Sequence, residues 1–408
     1  MNITIVSIWK VINKTWPCKF GDGGLMSNSK KTSLFVVAII VLLSFALLIY
    51  GLEWWQKPEE EHIFGEYDVV GFVSPDNSYE VLVDVIRSAN YTIFIEMYSM
   101  SHPFLAKELN DAINRGVKVI VIFEHHHVSP FENMYTEWAA YNLTVAGASV
   151  YWANDTEFSY THSKFIIIDN TTVVVESANW VKTGIPVDPS YGNREWGIVI
   201  RNEDLAQKFL EVFLSDLAIA EAYVLEEPSW FPSLTVSTGS YTYPFKDPLH
   251  YSGNFSAEAV FAPENAEEAI IGLLNSANES IYVQQNYIYL YWGSEINPFV
   301  EALVNASNRG VSVKVIIDAG TVSISEDAAE YLSARGVEVR WSNTTYFETT
   351  HNKGIIIDEK IVLISSINWS ETSVRKNREA GVIVYCEEIA QYYASVFEWD
   401  WNVSSSTE

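Results

Sequence analysis

Two stretches of the chain carry the same reactive side chains in the same order. Thr161-His162-Ser163-Lys164-Phe165-Ile166-Ile167-Ile168-Asp169 returns as Thr350-His351-Asn352-Lys353-Gly354-Ile355-Ile356-Ile357-Asp358. Behind the first copy come a polar turn, Val173-Val174-Val175 and Ser177-Ala178-Asn179-Trp180; behind the second come Ile361-Val362-Leu363-Ile364 and Ser366-Ile367-Asn368-Trp369. Each copy reads as a hairpin of two apolar strands. Strand side chains alternate between faces, so His162 and Lys164 share a face, as do Ser177 and Asn179, and the second copy repeats this with His351, Lys353, Ser366 and Asn368. An imidazole, an ammonium and an amide on one face suit an oxyanion, and two copies facing each other supply two imidazoles. That set fits phosphoryl transfer in two steps. One neutral histidine attacks phosphorus, the other protonates the departing oxygen, and the lysines and asparagines neutralise developing charge. Such a site needs neither metal nor organic cofactor.

The doubled His-x-Lys-x4-Asp motif resembles that of the phospholipase D superfamily, over roughly residues 68 to 402, and a doubled pattern of this length is far more specific than a lone short one. The resemblance implies a phosphohistidine intermediate on the first-motif residue, His162, with His351 as general acid and then base. It implies that Lys164, Lys353, Asn179 and Asn368 hold the phosphate, with Ser177 and Ser366 beside them, and it counts Asp169 and Asp358 among the catalytic groups. An acidic residue downstream of each motif commonly bonds the imidazole in that family, which points to Glu195 and Glu379. The chain departs from the family just before each returning-strand serine, where Glu176 and Ser365 replace the usual glycine. Glu176 could alter substrate fit or face solvent.

The repeat extends to whole domains. Ser74-Pro75-Asp76-Asn77 aligns with Ala262-Pro263-Glu264-Asn265, Asn114-Arg115-Gly116-Val117 with Asn308-Arg309-Gly310-Val311, and Asn193-Arg194-Glu195 with Asn377-Arg378-Glu379. In each half an amphipathic segment (Val81 to Ser88; Ala266 to Ser276) leads to a strand, and a second helical stretch ends at a glycine before another buried strand. The order βαβ followed by a hairpin predicts two duplicated α/β sandwich domains, residues 64–227 and 256–403. Residues 228–255, rich in Pro, Ser, Thr and Tyr, read as an inter-domain loop rimming the cleft.

Leu34 to Leu52 is almost wholly apolar and about long enough to cross a bilayer as a helix, so residues 34–53 are expected to form one transmembrane anchor. Lys30 and Lys31 before it, against Glu53, Glu59, Glu60 and Glu61 after it, predict a cytoplasmic segment 1–33 and catalytic domains outside. No small-x-small cleavage site follows the apolar run, which favours an uncleaved anchor over a signal peptide. Met26 heads a compact basic flank, so residues 1–25 are expected to precede the natural start. Ten Asn-x-Ser/Thr sequons beyond the anchor fit an exterior location, although Asn368 is read as a site residue.

Nearly half the residues are hydrophobic and 14% aromatic, enough for a large core. The formal charge of −27 opposes a sequence-blind grip on nucleic acid unless cations gather in the cleft at Lys164, Lys353, Arg194 and Arg378. Cys18 and Cys386 fall on opposite sides of the anchor, so no intrachain disulfide is expected. Glu124-His125-His126-His127 could bind metal, but adjacent residues seldom converge on one ion. The expected partner is a phosphodiester, lipid first, met at an intramolecular site beside a membrane. A nuclease for single-stranded DNA or RNA is the rival reading, because Asn-Trp after each serine looks more like nuclease-type members. A silent phosphate-binding protein is the third.

Overall fold

The computed structural model describes residues 62–406. The expected anchor at 34–53, its basic flank, Met26 and Cys18 lie outside the described residues. Among those described, no helix is long and apolar enough to cross a membrane.

The first half runs β1 (Ile63–Ser74), α1 (Ser78–Ser88), β2 (Thr92–Met97), α2 (Pro103–Asn114), β3 (Lys118–Phe123), α3 (Pro130–Ala146), β4 (Ser149–Trp152), β5 (Lys164–Ile168), β6 (Thr172–Glu176), β7 (Glu195–Arg201), α4 (Glu203–Ile219) and β8 (Glu221–Ala222). The second half repeats this as β9 (Leu249–Ala262), α5 (Ala266–Ser276), β10 (Ser280–Gln285), a small hairpin of β11 (Tyr291–Trp292) and β12 (Glu295–Ile296), α6 (Pro298–Asn308), β13 (Ser312–Ile317), α7 (Val322–Ser333), β14 (Glu338–Trp341), β15 (Lys353–Ile357), β16 (Ile361–Ser365), α8 (Glu371–Arg375), β17 (Glu379–Tyr385), α9 (Glu387–Val403) and β18 (Ser405–Ser406). Helices α2 and α6 both stop where a glycine takes a left-handed backbone, Gly116 at φ 95° and Gly310 at φ 92°, a conformation that costs glycine little.

The halves are not two separate sandwiches. Their strands form one 16-stranded sheet in the order β18-β14-β13-β10-β15-β16-β17-β9-β1-β7-β6-β5-β2-β3-β4-β8. Exchanging each strand for its repeat partner reverses this order onto itself, which is the signature of a pseudo-twofold axis between β1 and β9. Those two strands pair antiparallel from Ile63↔Ala257 to Gly71↔Leu249. Strand β9 therefore begins inside the stretch whose composition suggests a loop. His250, Ser252 and Asn254 are polar, yet their backbone is committed to β1. Between β8 and β9, residues 223–248 lack helix and strand.

Helices α1 to α3 cover one face of the first half, where Leu82, Ile86, Leu105, Leu109 and Leu143 join Ile95, Val121 and Ile166 in one core. Helices α5 to α7 do the same in the second half. The other face of both halves closes on α4 and α9, where Phe209, Phe213, Tyr393 and Phe397 share a core with Ile198 and Val382. Across this shared core, bulk in one half meets space in the other. A Cβ at Gly354 would fall 2.4 Å from ring carbons of Trp196. The repeat-equivalent positions reverse the sizes, with Phe165 in place of Gly354 and Ala380 in place of Trp196.

Candidate active site

Each histidine lies two residues before a strand, in a loop that the opposite half holds in place. The His162 amide donates to the Arg378 carbonyl at 2.7 Å, and the Arg378 amide donates to Tyr160 at 2.9 Å. By the same rule the His351 amide donates to the Arg194 carbonyl at 3.1 Å and the Arg194 amide to Thr349 at 2.9 Å. A carboxylate at the end of the neighbouring strand fixes each loop from below: Glu124 accepts from the Thr161 amide at 2.6 Å, and Asp318 accepts from the Thr350 amide at 2.7 Å.

This clipping decides which carboxylate meets which imidazole. Arg378 immediately precedes Glu379, whose Oε2 lies 2.8 Å from His162 Nδ1. Arg194 precedes Glu195, whose Oε1 lies 2.9 Å from His351 Nδ1. Both glutamates do bond imidazoles, but each serves the histidine of the other half, so neither half holds a complete pair. With Nδ1 of each ring directed at a carboxylate, Nε2 is the atom left to meet a substrate, in the tautomer that the hydrogen bond selects. The rings are recessed, with side chains 13% exposed at His162 and 20% at His351.

Burial dominates the electrostatics. It pushes the His162 imidazole down to about 4 against the pull of Glu379 and lowers His351 against that of Glu195, so both rings are neutral at neutral pH. Burial would raise the two glutamates, but His351 beside Glu195 and His162 beside Glu379 outweigh it and hold both carboxyls below their usual range. Lys164 and Lys353 are fully buried. Desolvation lowers Lys164 to about 8 and Lys353 to about 7, where the Lys164 charge adds to the effect. Each ammonium donates to its own motif's histidine carbonyl, Lys164 to His162 at 2.6 Å and Lys353 to His351. Asn179 and Asn368 follow β6 and β16, and their Oδ1 atoms are buried with no partner among the described residues, which leaves amide capacity unspent at the site.

Three expectations are corrected. Ser177 and Ser366 do not present their hydroxyls to a phosphate: Ser177 Oγ donates to Glu195 at 2.6 Å and Ser366 Oγ donates to Glu379 at 2.6 Å, so they position the carboxylates instead. Asp169 and Asp358 sit at the far ends of β5 and β15, about 20 Å of extended chain from the histidines. Asp169 accepts from the amides of Asn90, Tyr91 and Thr92, each at 2.8 Å, and Asp358 does the same for Asn278, Glu279 and Ser280. Both residues also turn the hairpin with φ of 52°, so their role is structural. Finally, Arg194 and Arg378 add no free charge to the cleft. Arg194 is buried between Asp76 at 2.7 Å and Asp400 at 3.0 Å, and Arg378 is paired with Asp216 at 2.7 Å and Glu264 at 2.5 Å.

Glu176 does not face solvent. It is fully buried, accepts from Trp180 Nε1 at 2.7 Å, and burial drives its carboxyl up to about 8. The three neighbouring histidines diverge: His125 stacks on Trp152 at 4.5 Å, His126 approaches Asp155 at 3.3 Å, and His127 bonds the Tyr98 carbonyl at 2.6 Å.

Residues that motif reading missed include Glu124, Asp318 and Tyr98, whose ring stands edge-on to His162 at 4.7 Å with the Lys164 ammonium 5.3 Å from its centre. Glu124 and Asp318 occupy equivalent places after β3 and β13, and aligning the two halves there would have found them.

These features define a duplicated phospholipase D-like protein. The chain belongs to the family described as cardiolipin synthase, PLD-like domain, which matches residues 82–217 and 270–401. Its relatives include proteins named phospholipase D. One from Rickettsia conorii is 27% identical over 192 residues, 46% of this chain and 92% of that one. Another, from Rickettsia typhi, is 26% identical over 182 residues, 43% of this chain and 85% of that one. Among solved structures, phosphatidylserine synthase from Haemophilus influenzae shares the fold, with a TM-score of 0.58 at 14% identity over 83% of this chain and 87% of that one.

Proposed function

We propose that the protein is a phosphodiesterase that works through a phosphohistidine, with a phospholipid or related diester as substrate. His162 Nε2 attacks phosphorus while the bond to the leaving oxygen breaks, and His351 delivers a proton to that oxygen. His351 then takes a proton from water, the water oxygen attacks phosphorus, and the phosphorus–nitrogen bond breaks to return His162. Glu379 and Glu195 hold the tautomers and stabilise whichever ring carries positive charge. Lys164, Lys353, Asn179 and Asn368 face the oxyanion as it develops. An entering phosphodiester anion favours the imidazolium form of His351 and so offsets the burial that otherwise keeps that ring neutral.

The observation that carries this reading is the crossed pair of His–Glu bonds, which supports two imidazoles acting together on one phosphorus. The lipid preference rests on the −27 charge, on the spent charges of Arg194 and Arg378, and on the apolar Leu34 to Leu52 segment, which would tether the domains at a membrane with the catalytic part outside. The test uses the full chain in mixed micelles without added metal, offered phosphatidylcholine, bis(p-nitrophenyl) phosphate and labelled single-stranded DNA. Lipid and chromogenic diester should turn over in EDTA. Turnover of DNA alone would replace the lipase reading with a nuclease one, and turnover of none would leave a phosphate-binding protein.

A further inference from the structure

The two halves surround their buried arginines differently. In the first half three aromatic rings enclose Arg194, with centres 5.5 Å (Phe347), 5.7 Å (Trp399) and 5.9 Å (Phe245) from the guanidinium carbon. Phe245 comes from the connecting segment and is held by its backbone. Its amide donates to Asp76 Oδ1 at 2.8 Å, and its carbonyl accepts from Asn77 Nδ2 at 2.7 Å. In the second half Arg378 meets a single ring among the described residues, Phe158 at 4.4 Å, which is the repeat counterpart of Phe347. The counterpart of Trp399 is Ser215, at the same turn of α4 as Trp399 of α9, and no described residue stands where Phe245 would map. What remains is a cavity of about 390 Å³, lined by Val212, Ser215, Phe261, Glu264 and Arg378 among others.

The groups that grip Phe245 are repeated at this cavity. Asp76 gives Oδ2 to Arg194 and Glu264 gives Oε2 to Arg378. The second oxygen of Asp76 takes the Phe245 amide, whereas that of Glu264 has no hydrogen-bond partner among the described residues. Asn77 and Asn265 each accept a strand amide through Oδ1, from Val73 at 2.9 Å and Phe261 at 2.7 Å. Asn265 then turns its Nδ2 to the Ala259 carbonyl at 3.0 Å, where Asn77 uses the same group to hold the connecting segment.

We propose that the cavity beside Arg378 is a docking site for an extended segment of a partner protein that presents one aromatic side chain, seated as Phe245 is seated in the first half. The ring fills the space between Phe261 and the guanidinium, which attracts its face. The backbone N–H of the same residue donates to the spare oxygen of Glu264. With Glu211 and Glu264 on the rim and a net charge of −27 on the chain, a basic residue next to the aromatic one is favoured, as Lys246 follows Phe245. The docked segment rests against the arginine whose carbonyl holds the His162 amide. The inference stands apart from the phosphodiesterase reading, and its test needs no turnover.

The test is calorimetric titration of the full chain with acetyl-Tyr-Pro-Phe-Lys-amide, a peptide that copies residues 243–246. It should bind at least tenfold more tightly than acetyl-Tyr-Pro-Ala-Lys-amide. With benzoylphenylalanine in place of its Phe, the peptide should photocrosslink to α4 or β9. Ala259→Phe, which fills the cavity from β9, should abolish binding in a variant that thermal melts show to be folded; the crosslink locates the site without that variant. Absent binding, equal affinity for the two peptides, crosslinks confined to other elements, or undiminished binding to folded Ala259→Phe would each overturn the proposal. Phenylalaninamide binding as tightly as the tetrapeptide would also overturn it, because the cavity would then take a free aromatic molecule and not a protein segment.

Discussion

Replacing Glu176 with glutamine should change how stability depends on pH. The carboxyl is fully buried, and burial raises it from 4.5 to about 8. In the unfolded chain it ionises near 4.5, whereas the folded protein keeps it protonated. A carboxyl with a raised folded value costs nothing below its unfolded value, and it withdraws stability as pH rises between the two. The loss is about 1.4 kcal/mol per pH unit, reaching roughly 3 kcal/mol at pH 7 and levelling off once the folded group ionises near pH 8. Glutamine keeps the acceptor for Trp180 Nε1 and removes the titration. Its NH2 group would occupy the place of Oε2, which has no partner among the described residues, so a constant penalty of about 1–3 kcal/mol accompanies the change. That penalty shifts the curve without altering its slope. Urea unfolding of both proteins at half-unit steps from pH 4 to 9 measures the slopes directly. The native protein should lose about 1.4 kcal/mol per unit relative to Glu176→Gln between pH 5 and 8. Parallel curves would refute the claim that a neutral carboxyl sits behind the site.

Three more outcomes follow from the same geometry. Because desolvation lowers Lys353 to about 7 and Lys164 to about 8, kcat/KM for bis(p-nitrophenyl) phosphate should fall as pH rises through 7 to 8 and the ammonium groups lose their protons; a plateau up to pH 10 would contradict it. Asp169→Ala should lower stability by about 1–3 kcal/mol through its lost amide bonds while kcat of the folded enzyme stays within twofold, as thermal melts and initial rates would show. Gly354→Phe should destabilise by about 1–3 kcal/mol through its clash with Trp196, and adding Trp196→Ala should restore most of that, since the double variant copies the Phe165 and Ala380 arrangement.

Much of the site was legible because the polar groups repeat in order and the flanking strands have period two. That periodicity places His162, Lys164, Ser177 and Asn179 on one face and their counterparts on another. The same reasoning, carried seven residues along β5, would have taken Asp169 out of the site, since extended chain cannot bring residue 169 back to residue 162. Shared motif membership is weaker evidence than strand length. The exchange of Glu195 and Glu379 between halves was not legible. The two glutamates sit in the same Asn-Arg-Glu context, and only the backbone bridges from His162 to Arg378 and from His351 to Arg194 decide the pairing. The single sheet was hidden for another reason. The residues from Leu249 to Glu258 do alternate apolar and polar, as a strand with one covered face does, but reading residues 228–255 by their Pro, Ser, Thr and Tyr content drew the loop boundary across that pattern. Ser177 and Ser366 were placed on the correct face but assigned to the wrong neighbour, because spacing gives a face and not a hydrogen-bond partner.

The central claim is that one active site is completed by both halves, with a phosphorylated His162 as intermediate. The most direct measurement is rapid acid-free quench of the full chain during turnover, followed by peptide mass spectrometry, in the native protein, His351→Ala and His162→Ala. With bis(p-nitrophenyl) phosphate, whose leaving group needs no proton from His351, the account predicts an acid-labile p-nitrophenyl-phosphoryl group on the peptide containing His162, accumulating in His351→Ala because breakdown lacks its base, and absent in His162→Ala. A phosphoryl group on His351 would reverse the assigned roles. Full turnover in either histidine variant would contradict the shared site itself.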